Sequence, residues 1–315
     1  MGVHLREHAL KLAMRLAKRL DRRQPDPGEL GSTAIRQILV ISCTAIGDTL
    51  MSTPAIRSLR LAYPHARLTL LVHPAYRELF ARLPGVDQLM GYRGNWKGFA
   101  RLAWTLRQLR PDLAVILHGN EPQATPLAYL SGARWVFKLP NAGNPFRFLL
   151  SNCEPQLRWE DFRHGIEQRL ATAALAGGAA TGWEMDMPVG CDARQQVSDW
   201  LAERGIANHQ RVVGLQAGAS TVSRRWPDSR LAELARRLLA SDLELAVVLT
   251  GSPAEFGLNQ RIAAEIASPR AVVSAGALPL PLWPALLARM QLLVTPDTGA
   301  LHLAVAVNTP VVALF

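Results

Sequence analysis

A chain of 315 residues, of which 49% are hydrophobic, is long enough for two globular domains and too apolar to be intrinsically disordered. It has no run of about 18 uninterrupted apolar residues, so no transmembrane helix is predicted, and its first residues lack the apolar stretch of a signal peptide. Its three scattered cysteines, Cys43, Cys153 and Cys191, form neither a metal-binding spacing nor a disulfide framework, which is typical of a reducing cytoplasm.

The net charge of +10 is unevenly distributed, because residues 1–24 carry seven basic and two acidic side chains. A helical wheel of this segment has an apolar stripe (Leu5, Ala9, Leu12, Leu16, Leu20) and, on the opposite side, a basic face (Lys11, Arg15, Lys18, Arg22). Such a helix binds an anionic membrane surface, or alternatively packs on the protein with a solvated basic face. Nucleic acid is not expected as a partner, since no recognition motif or alternation of aromatic and basic residues is present.

From the N-terminus, residues 1–34 are predicted to form this helix and a Pro/Gly-rich linker. Strands and helices then alternate up to the small-residue stretch 177–182, the predicted domain boundary. The strands are predicted at 37–42, 67–72, 86–90, 113–117 and 134–137. The helices are predicted after the first two strands, to about Tyr63 and Leu83, and then at 97–109, 124–131 and 165–176. This alternation predicts a parallel sheet covered by helices on both faces.

The second half repeats the pattern. Its strands are predicted at 211–216, 244–250, 271–274, 291–295 and 310–315, and its helices at 228–240, 255–267, 282–289 and 299–307. The sequence therefore predicts an α/β fold of two Rossmann-like domains, residues 35–180 and 181–315. Neither half contains Gly-x-Gly-x-x-Gly, which argues against a dinucleotide-dependent oxidoreductase.

Polar residues follow a strand and begin a helix in each half. Asp297, Thr298 and Gly299 lie between a buried strand and an alanine-rich helix, where free backbone N–H groups and the helix dipole favour an anion. Gly47 and Asp48 occupy a corresponding place in the first half. A simple helix N-cap is the alternative at both places. Because ligands bind outside the carboxyl ends of parallel strands, the pattern predicts two half-sites facing across a cleft.

Five short motifs in the same order resemble those of glycosyltransferase family nine, the ADP-heptose:lipopolysaccharide heptosyltransferases. They comprise Ala45–Leu50 with Thr53–Ala55, Gly218–Ser220, Arg224–Pro227, Gly251–Glu255, and Asp297–His302 with Thr309–Phe315. The resemblance extends from about Arg36 to the last residue. It implies the GT-B fold, and because that family usually continues beyond the position of Phe315, the second domain is expected to be truncated at its C-terminus.

The resemblance also implies roles for individual residues. Asp48 matches the general base for the acceptor hydroxyl, with a helix N-cap as the alternative. Arg224 stands where the family usually has Lys, and it is expected to neutralise the leaving diphosphate. The chain has no Asp-x-Asp pair, so no metal and no cofactor are predicted.

The nucleotide sugar is expected to contact residues of the second half: Ser220, Glu255, Asp297, Thr298, Gly299 and His302. Glu255 is expected to accept a ribose hydrogen bond, and the alternatives are a solvated loop for Ser220, a helix-stabilising acid for Glu255 and a core residue for His302. Gly47 and His118, at strand ends of the first half, are weaker candidates for contact with the acceptor.

Together these features predict an inverting, metal-independent glycosyltransferase that moves heptose from ADP-heptose to a lipid-anchored lipopolysaccharide core acceptor. It would work in the cytoplasm at the surface of the inner membrane. The alternatives are a different nucleotide sugar, a two-domain nucleotide-sugar-binding protein without catalysis, and an inactive fragment.

Overall fold

The computed structural model describes residues 3–23, 25–119, 122–140, 143–152, 157 and 159–315. The chain divides into two compact units, Met1–Met185 and Asp186–Phe315. The division falls after Met185, whereas the small-residue stretch predicts it after residue 180. Each unit has its own parallel sheet and its own buried core.

The first unit contains a five-stranded parallel sheet of order β3-β2-β1-β4-β5. Its strands are β1 (Gln37–Ser42), β2 (Arg67–Val72), β3 (Gln88–Gly91), β4 (Leu113–His118) and β5 (Trp135–Lys138). The central strands are nearly continuous apolar runs because helices cover both faces of the sheet. All five predicted strands are confirmed to within two residues.

The helices of the first unit differ from the prediction at two places. They are α1 (Val3–Leu20), α2 (Ile46–Met51), α3 (Thr53–Ala62), α4 (Phe99–Gln108), α5 (Ala124–Leu130) and α6 (Gly165–Leu175). The predicted single helix to Tyr63 is divided at Ser52, because Pro54 has no N–H to donate and is suited to the start of a new helix. The predicted helix to Leu83 is wrong: a 3-10 turn, Pro74–Tyr76, is followed by irregular turns. Pro74 and Pro84 bound this segment, and the residues between them are too few to form a stable helix.

The second unit contains a parallel sheet of order β10-β9-β6-β7-β8. Its strands are β6 (Arg211–Gln216), β7 (Leu245–Thr250), β8 (Ala271–Val273), β9 (Leu292–Pro296) and β10 (Val311–Leu314). Its helices are α7 (Cys191–Ala202), α8 (Asp228–Ser241), α9 (Phe256–Ile266), α10 (Trp283–Ala288) and α11 (Gly299–Ala306). The sequence pattern missed α7, because this helix buries mainly Val197, Trp200 and Leu201 and is otherwise polar.

The strand orders locate one crevice in each sheet. The order of the first sheet reverses between β1 and β4, and that of the second between β6 and β9. At such a point the connections leave on opposite faces of the sheet, which opens a crevice at the carboxyl ends of the two strands. Asp48 follows β1 and His118 ends β4, while Ser220 follows β6 and Asp297 follows β9. These four predicted site residues therefore follow or end the strands that flank the two crevices, whereas Glu255 follows β7, the next strand of the second sheet.

Two further expectations concern membrane spans and cysteines. Within the residues that the structure describes, no helix is long and apolar enough to cross a membrane. Cys43 is buried, Cys191 is exposed, and neither is in a disulfide. Cys153 lies outside the described residues.

Candidate functional site

The carboxylate of Asp48 is held from two sides. Asp48 is the third residue of α2, and its Oδ2 accepts a hydrogen bond of 2.8 Å from the hydroxyl of Thr44. Its Oδ1 lies 3.0 Å from Nη2 of Arg169, which donates to it. The Asp48 side chain remains 25% exposed, so an oriented carboxylate is accessible at the carboxyl end of β1. Gly47, the other motif residue in this turn, is buried within α2.

His118 is the second predicted residue at this crevice. Its Nδ1 is 2.6 Å from the Thr44 hydroxyl, and its Nε2 is 3.6 Å from Oδ1 of Asp48. Because Thr44 donates its proton to Asp48, Nδ1 of His118 must donate to Thr44, which leaves Nε2 without a proton in the neutral ring. Burial lowers the pKa of His118 below its usual 6.5, although the charge of Asp48 acts in the opposite direction. The structure thus brings Asp48 and His118 together through Thr44.

Arg169 is a residue of this site that the sequence motifs missed. Its side chain is only 1% exposed, and besides Asp48 it donates from Nε to Ser52 Oγ at 3.1 Å and from Nη1 to Gly165 O at 2.8 Å. A Cβ at Gly165 would lie 2.7 Å from Nη1, so glycine makes room for the guanidinium. The sequence contains one signal for this residue, because Arg169 is spaced to share a helix face with Ile166 and Ala173. That face of α6 is buried, and an arginine there needs a charged partner.

In the second unit, Arg224 and Asp297 form an ion pair. Nη1 of Arg224, at the end of a 3-10 turn, is 3.5 Å from Oδ2 of Asp297, and both side chains are about half exposed. Thr298 is the N-cap residue of α11 without a side-chain cap hydrogen bond, and its hydroxyl lies 3.3 Å from that of Thr295. Gly299 is the first residue of α11. A cationic side chain therefore accompanies the N-terminus of this helix, a combination suited to a phosphate.

Glu255 and the loop after β6 contact each other. Oε2 of Glu255 accepts hydrogen bonds from the backbone N–H of Ser252 at 2.6 Å and from its hydroxyl at 3.0 Å. Its Oε1 occupies the space that a Cβ would take at Gly218, which would lie only 1.6 Å away. The capping function considered as the alternative is therefore present, but it uses one of the two oxygens. Ser220, two residues after Gly218, is exposed.

A buried polar pair lies beneath this loop, and the motifs did not predict it. Thr250, at the end of β7, donates to Oε1 of Gln216, and Nε2 of Gln216 donates to the carbonyl of Gly218 at 3.1 Å. These two bonds fix the loop relative to the ends of β6 and β7. His302 lies in the first turns of α11 and is partly buried. No cluster of three or more potential metal-ligating His, Cys, Asp or Glu side chains occurs in the described part of the chain.

Comparisons with known proteins identify the family. Residues 147–315, more than half of the chain, match the family described as Glycosyltransferase family 9 (heptosyltransferase). Lipopolysaccharide heptosyltransferase 2 of Escherichia coli (strain K12) is 27% identical over 293 residues, covering 89% of this chain and 82% of that protein. Lipopolysaccharide heptosyltransferase 3 of Escherichia coli is 25% identical over 292 residues, covering 85% of this chain and 80% of that protein.

Solved structures give the same result for the fold. The structure of Escherichia coli ADP-heptose lps heptosyltransferase II has a TM-score of 0.75 at 25% identity, covering 88% of this chain and 84% of that one. A glycosyltransferase of family 9 from Veillonella parvula DSM 2008 has a TM-score of 0.77 at 21% identity, covering 89% and 81%. The expected GT-B class of two parallel-sheet α/β domains is thereby confirmed. The chain belongs to glycosyltransferase family 9 and is a glycosyl-transferring enzyme.

Proposed function

We propose that this enzyme transfers heptose from ADP-heptose to a saccharide of the lipopolysaccharide core, with inversion at the anomeric carbon. The observation that carries the proposal is the oriented, accessible carboxylate of Asp48 at the switch point of the first sheet. The names of the relatives, lipopolysaccharide heptosyltransferases 2 and 3, support the sugar and the acceptor class.

Asp48 is the proposed general base. The acceptor hydroxyl attacks the anomeric carbon as its proton passes to Asp48, a new C–O bond forms, and the bond to the diphosphate breaks on the opposite face of the sugar. One base is sufficient for such a single displacement, and no sugar–enzyme bond is formed. Because Arg169 and Thr44 fix the two carboxylate oxygens, the base is oriented before the acceptor binds.

The departing ADP carries the negative charge that the second unit is proposed to stabilise. Arg224 supplies a guanidinium, and the N-terminus of α11 at Thr298 and Gly299 supplies N–H groups. On donor binding, the diphosphate would replace Asp297 as the partner of Arg224, an exchange that is inexpensive because the pair is solvent-exposed. We propose that these groups make a metal ion and a cofactor unnecessary, and full turnover in the presence of EDTA is the expected result.

The nucleoside is proposed to bind along the loop after β6. We propose that Oε1 of Glu255, the oxygen that the cap at Ser252 does not use, accepts a hydrogen bond from a ribose hydroxyl, and that Ser220 contributes its exposed hydroxyl. His302 is proposed to approach the donor phosphates from the first turns of α11. Gly47 and His118 are proposed to contact the acceptor. We propose that this acceptor is lipid-anchored and that the enzyme therefore works on the cytoplasmic face of the inner membrane.

A thermal-shift series with ADP, UDP, GDP and CMP tests the nucleotide. A ligand at about 100 times its Kd stabilises the folded state by about 2.7 kcal/mol. Because ADP is the nucleotide of the proposed donor, ADP is expected to raise the unfolding temperature most. A larger shift with UDP would point to a different nucleotide sugar. Transfer is then assayed with ADP-heptose and a lipopolysaccharide core acceptor, and the anomeric configuration of the product reports inversion. An ADP shift without transfer would contradict the proposed sugar or acceptor, but not the nucleotide.

A further inference from the structure

The helix α1 has three different faces, and the leucine stripe is not the one that packs on the protein. Met14 is buried against Tyr129, Phe146 and Leu149, with Leu10 and Ala17 at the edge of the same cluster. The stripe instead faces solvent, with exposed fractions of 58% for Leu5, 70% for Leu12, 58% for Leu16 and 74% for Leu20. Four exposed leucines on one side of one helix are unusual for a surface that contacts water alone.

The end of α1 is fastened to the first unit by polar contacts. Asp21 accepts a hydrogen bond of 2.6 Å from the hydroxyl of Tyr129 and pairs with Arg23, whose Nη1 donates to the carbonyl of Ala133 at 2.7 Å. Burial disfavours the charged form of Asp21, but the hydrogen bonds from Arg23 and Tyr129 prevail and lower its pKa to about 2. The helix is therefore held in one orientation, and the stripe is presented in a fixed direction.

Basic side chains occupy the surface of α1 between the leucine stripe and the packed face that contains Leu10, Met14 and Ala17. At 100° per residue, Lys18, Lys11, Arg15 and Arg19 follow one another around the helix, and Arg19 lies beside Leu12. Together with Asn144, Pro145, Arg147 and Phe148 these four line a groove of about 630 Å³. Five basic and no acidic side chains line it, a charge pattern complementary to phosphate groups.

We infer that α1 and residues 144–148 form a docking surface for an anionic lipid bilayer. The leucine stripe enters the boundary between headgroups and acyl chains, along about 22 Å of helix from Leu5 to Leu20. The basic groove beside it takes the phosphates of anionic headgroups. The inference rests on the proposed function in that a lipid-anchored acceptor gives membrane binding its purpose, but vesicle binding itself requires neither heptose nor transfer.

The test is co-flotation of the full chain with vesicles of phosphatidylcholine, with and without phosphatidylglycerol. Wild type is expected to float with the anionic vesicles and to be released at about 1 M salt, where the Debye length falls to about 3 Å. The pair Leu12→Gln and Leu16→Gln is expected to weaken partitioning at least about tenfold, because two apolar side chains no longer enter the interface. Lys11→Glu with Arg15→Glu should abolish the preference for anionic vesicles.

Matched controls lie on the second unit. Leu243 is 78% exposed, so Leu243→Gln tests the loss of an exposed leucine elsewhere, and Arg194→Glu with Arg261→Glu tests the same change of charge. These variants should float like wild type. Thermal unfolding without ligand checks that every variant is folded. Wild-type chain that stays with the unbound fraction, or α1 variants that float as well as the controls, would overturn the inference. The ADP thermal shift, measured separately, reports on the proposed function instead.

Discussion

At the scale of single residues, the two oxygens of Asp48 have different neighbours. Oδ1 faces the guanidinium of Arg169 and the ring of His118, while Oδ2 faces the hydroxyl of Thr44. The hydrogen-bond chain from His118 through Thr44 to Asp48 leaves Nε2 of His118 as a second proton acceptor in the same crevice. Two candidates for the general base are therefore present, and substitutions distinguish them.

Asp48→Asn keeps the size of the side chain and removes the base. Turnover is expected to fall about 10²–10⁴-fold, the usual contribution of general base catalysis. His118→Gln is the matched comparison and is expected to cost less, since it leaves the carboxylate and its pairing with Arg169 intact. Initial rates at saturating donor give the measurement. If His118→Gln is the more damaging of the two, the base is His118, and Asp48 is a helix cap that orients it.

The lowered pKa of His118 predicts how stability depends on pH. In the unfolded chain His118 takes up a proton near its usual pKa of 6.5, whereas in the folded chain the partial burial of the ring lowers that pKa. The unfolded state therefore binds more protons below pH 6.5, and stability decreases on acidification through that window. Between about pH 7.5 and 5.5, the free energy of unfolding measured in urea should fall less for His118→Gln than for the wild-type chain. Equal losses in both proteins would contradict the shift.

At the scale of secondary-structure elements, two glycines set where a site side chain can go. Gly165 begins α6 and leaves room for Arg169, and Gly218 follows β6 and leaves room for Glu255. Glycine is required at both positions, because a Cβ there would overlap a polar atom of the Arg169 or Glu255 side chain.

Gly165→Ala is expected to displace the guanidinium of Arg169 and with it the carboxylate of Asp48. Stability should fall by about 1–3 kcal/mol, the cost of disturbing a buried charged hydrogen bond, and turnover should fall as well. Gly257→Ala in α9 is the control, since its new Cβ would meet nothing closer than 4.0 Å. Helix propensity makes that change neutral or favourable by up to about 1 kcal/mol. Denaturation and rate measurements with equal results for the two variants would refute the packing argument.

Gly218→Ala is expected to push Oε1 of Glu255 away from the loop that precedes Ser220. The affinity for ADP should fall about tenfold, as expected for the loss of one hydrogen bond to a charged group. Gly31→Ala, where the added Cβ meets nothing within 4 Å, serves as the control in the first unit. Calorimetric titration with ADP gives the comparison, and unchanged affinity in Gly218→Ala would remove Glu255 from the nucleotide site.

At the scale of the whole molecule, the general base is proposed in the first unit and ADP binding in the second. Substitutions in the two units should therefore affect turnover and ADP affinity differently. Arg224→Ala is expected to weaken ADP binding about tenfold or more and to slow transfer, whereas Asp48→Asn should leave ADP affinity unchanged. The exposed pair with Asp297 contributes little to stability, so unfolding should change by less than about 1 kcal/mol. Arg225→Ala, the neighbouring exposed arginine, should match wild type in both assays. Equal effects of Arg224→Ala and Arg225→Ala would contradict the phosphate contact.

The sequence by itself determined the elements and the positions of most candidate site residues. Short, largely apolar runs of four to seven residues predicted each of the ten strands that the structure describes. Asp48 and Asp297 come shortly after a strand because their motifs include part of the turn that follows it. Local pattern failed where it was weak, as in the polar helix α7 and in the segment between Pro74 and Pro84. These are properties of neighbouring residues along the chain.

Tertiary structure decided which distant residues complete the site. Arg169 is 121 residues from Asp48, and Gly218 meets Glu255 across two strands, so no local pattern contains either contact. It also decided which face of α1 packs inward. The more regular leucine stripe stays exposed, because the apolar cluster formed by Tyr129, Phe146 and Leu149 receives Met14 instead. Periodicity identifies apolar faces, but burial requires a complementary surface, and here that surface is built from residues more than one hundred positions away.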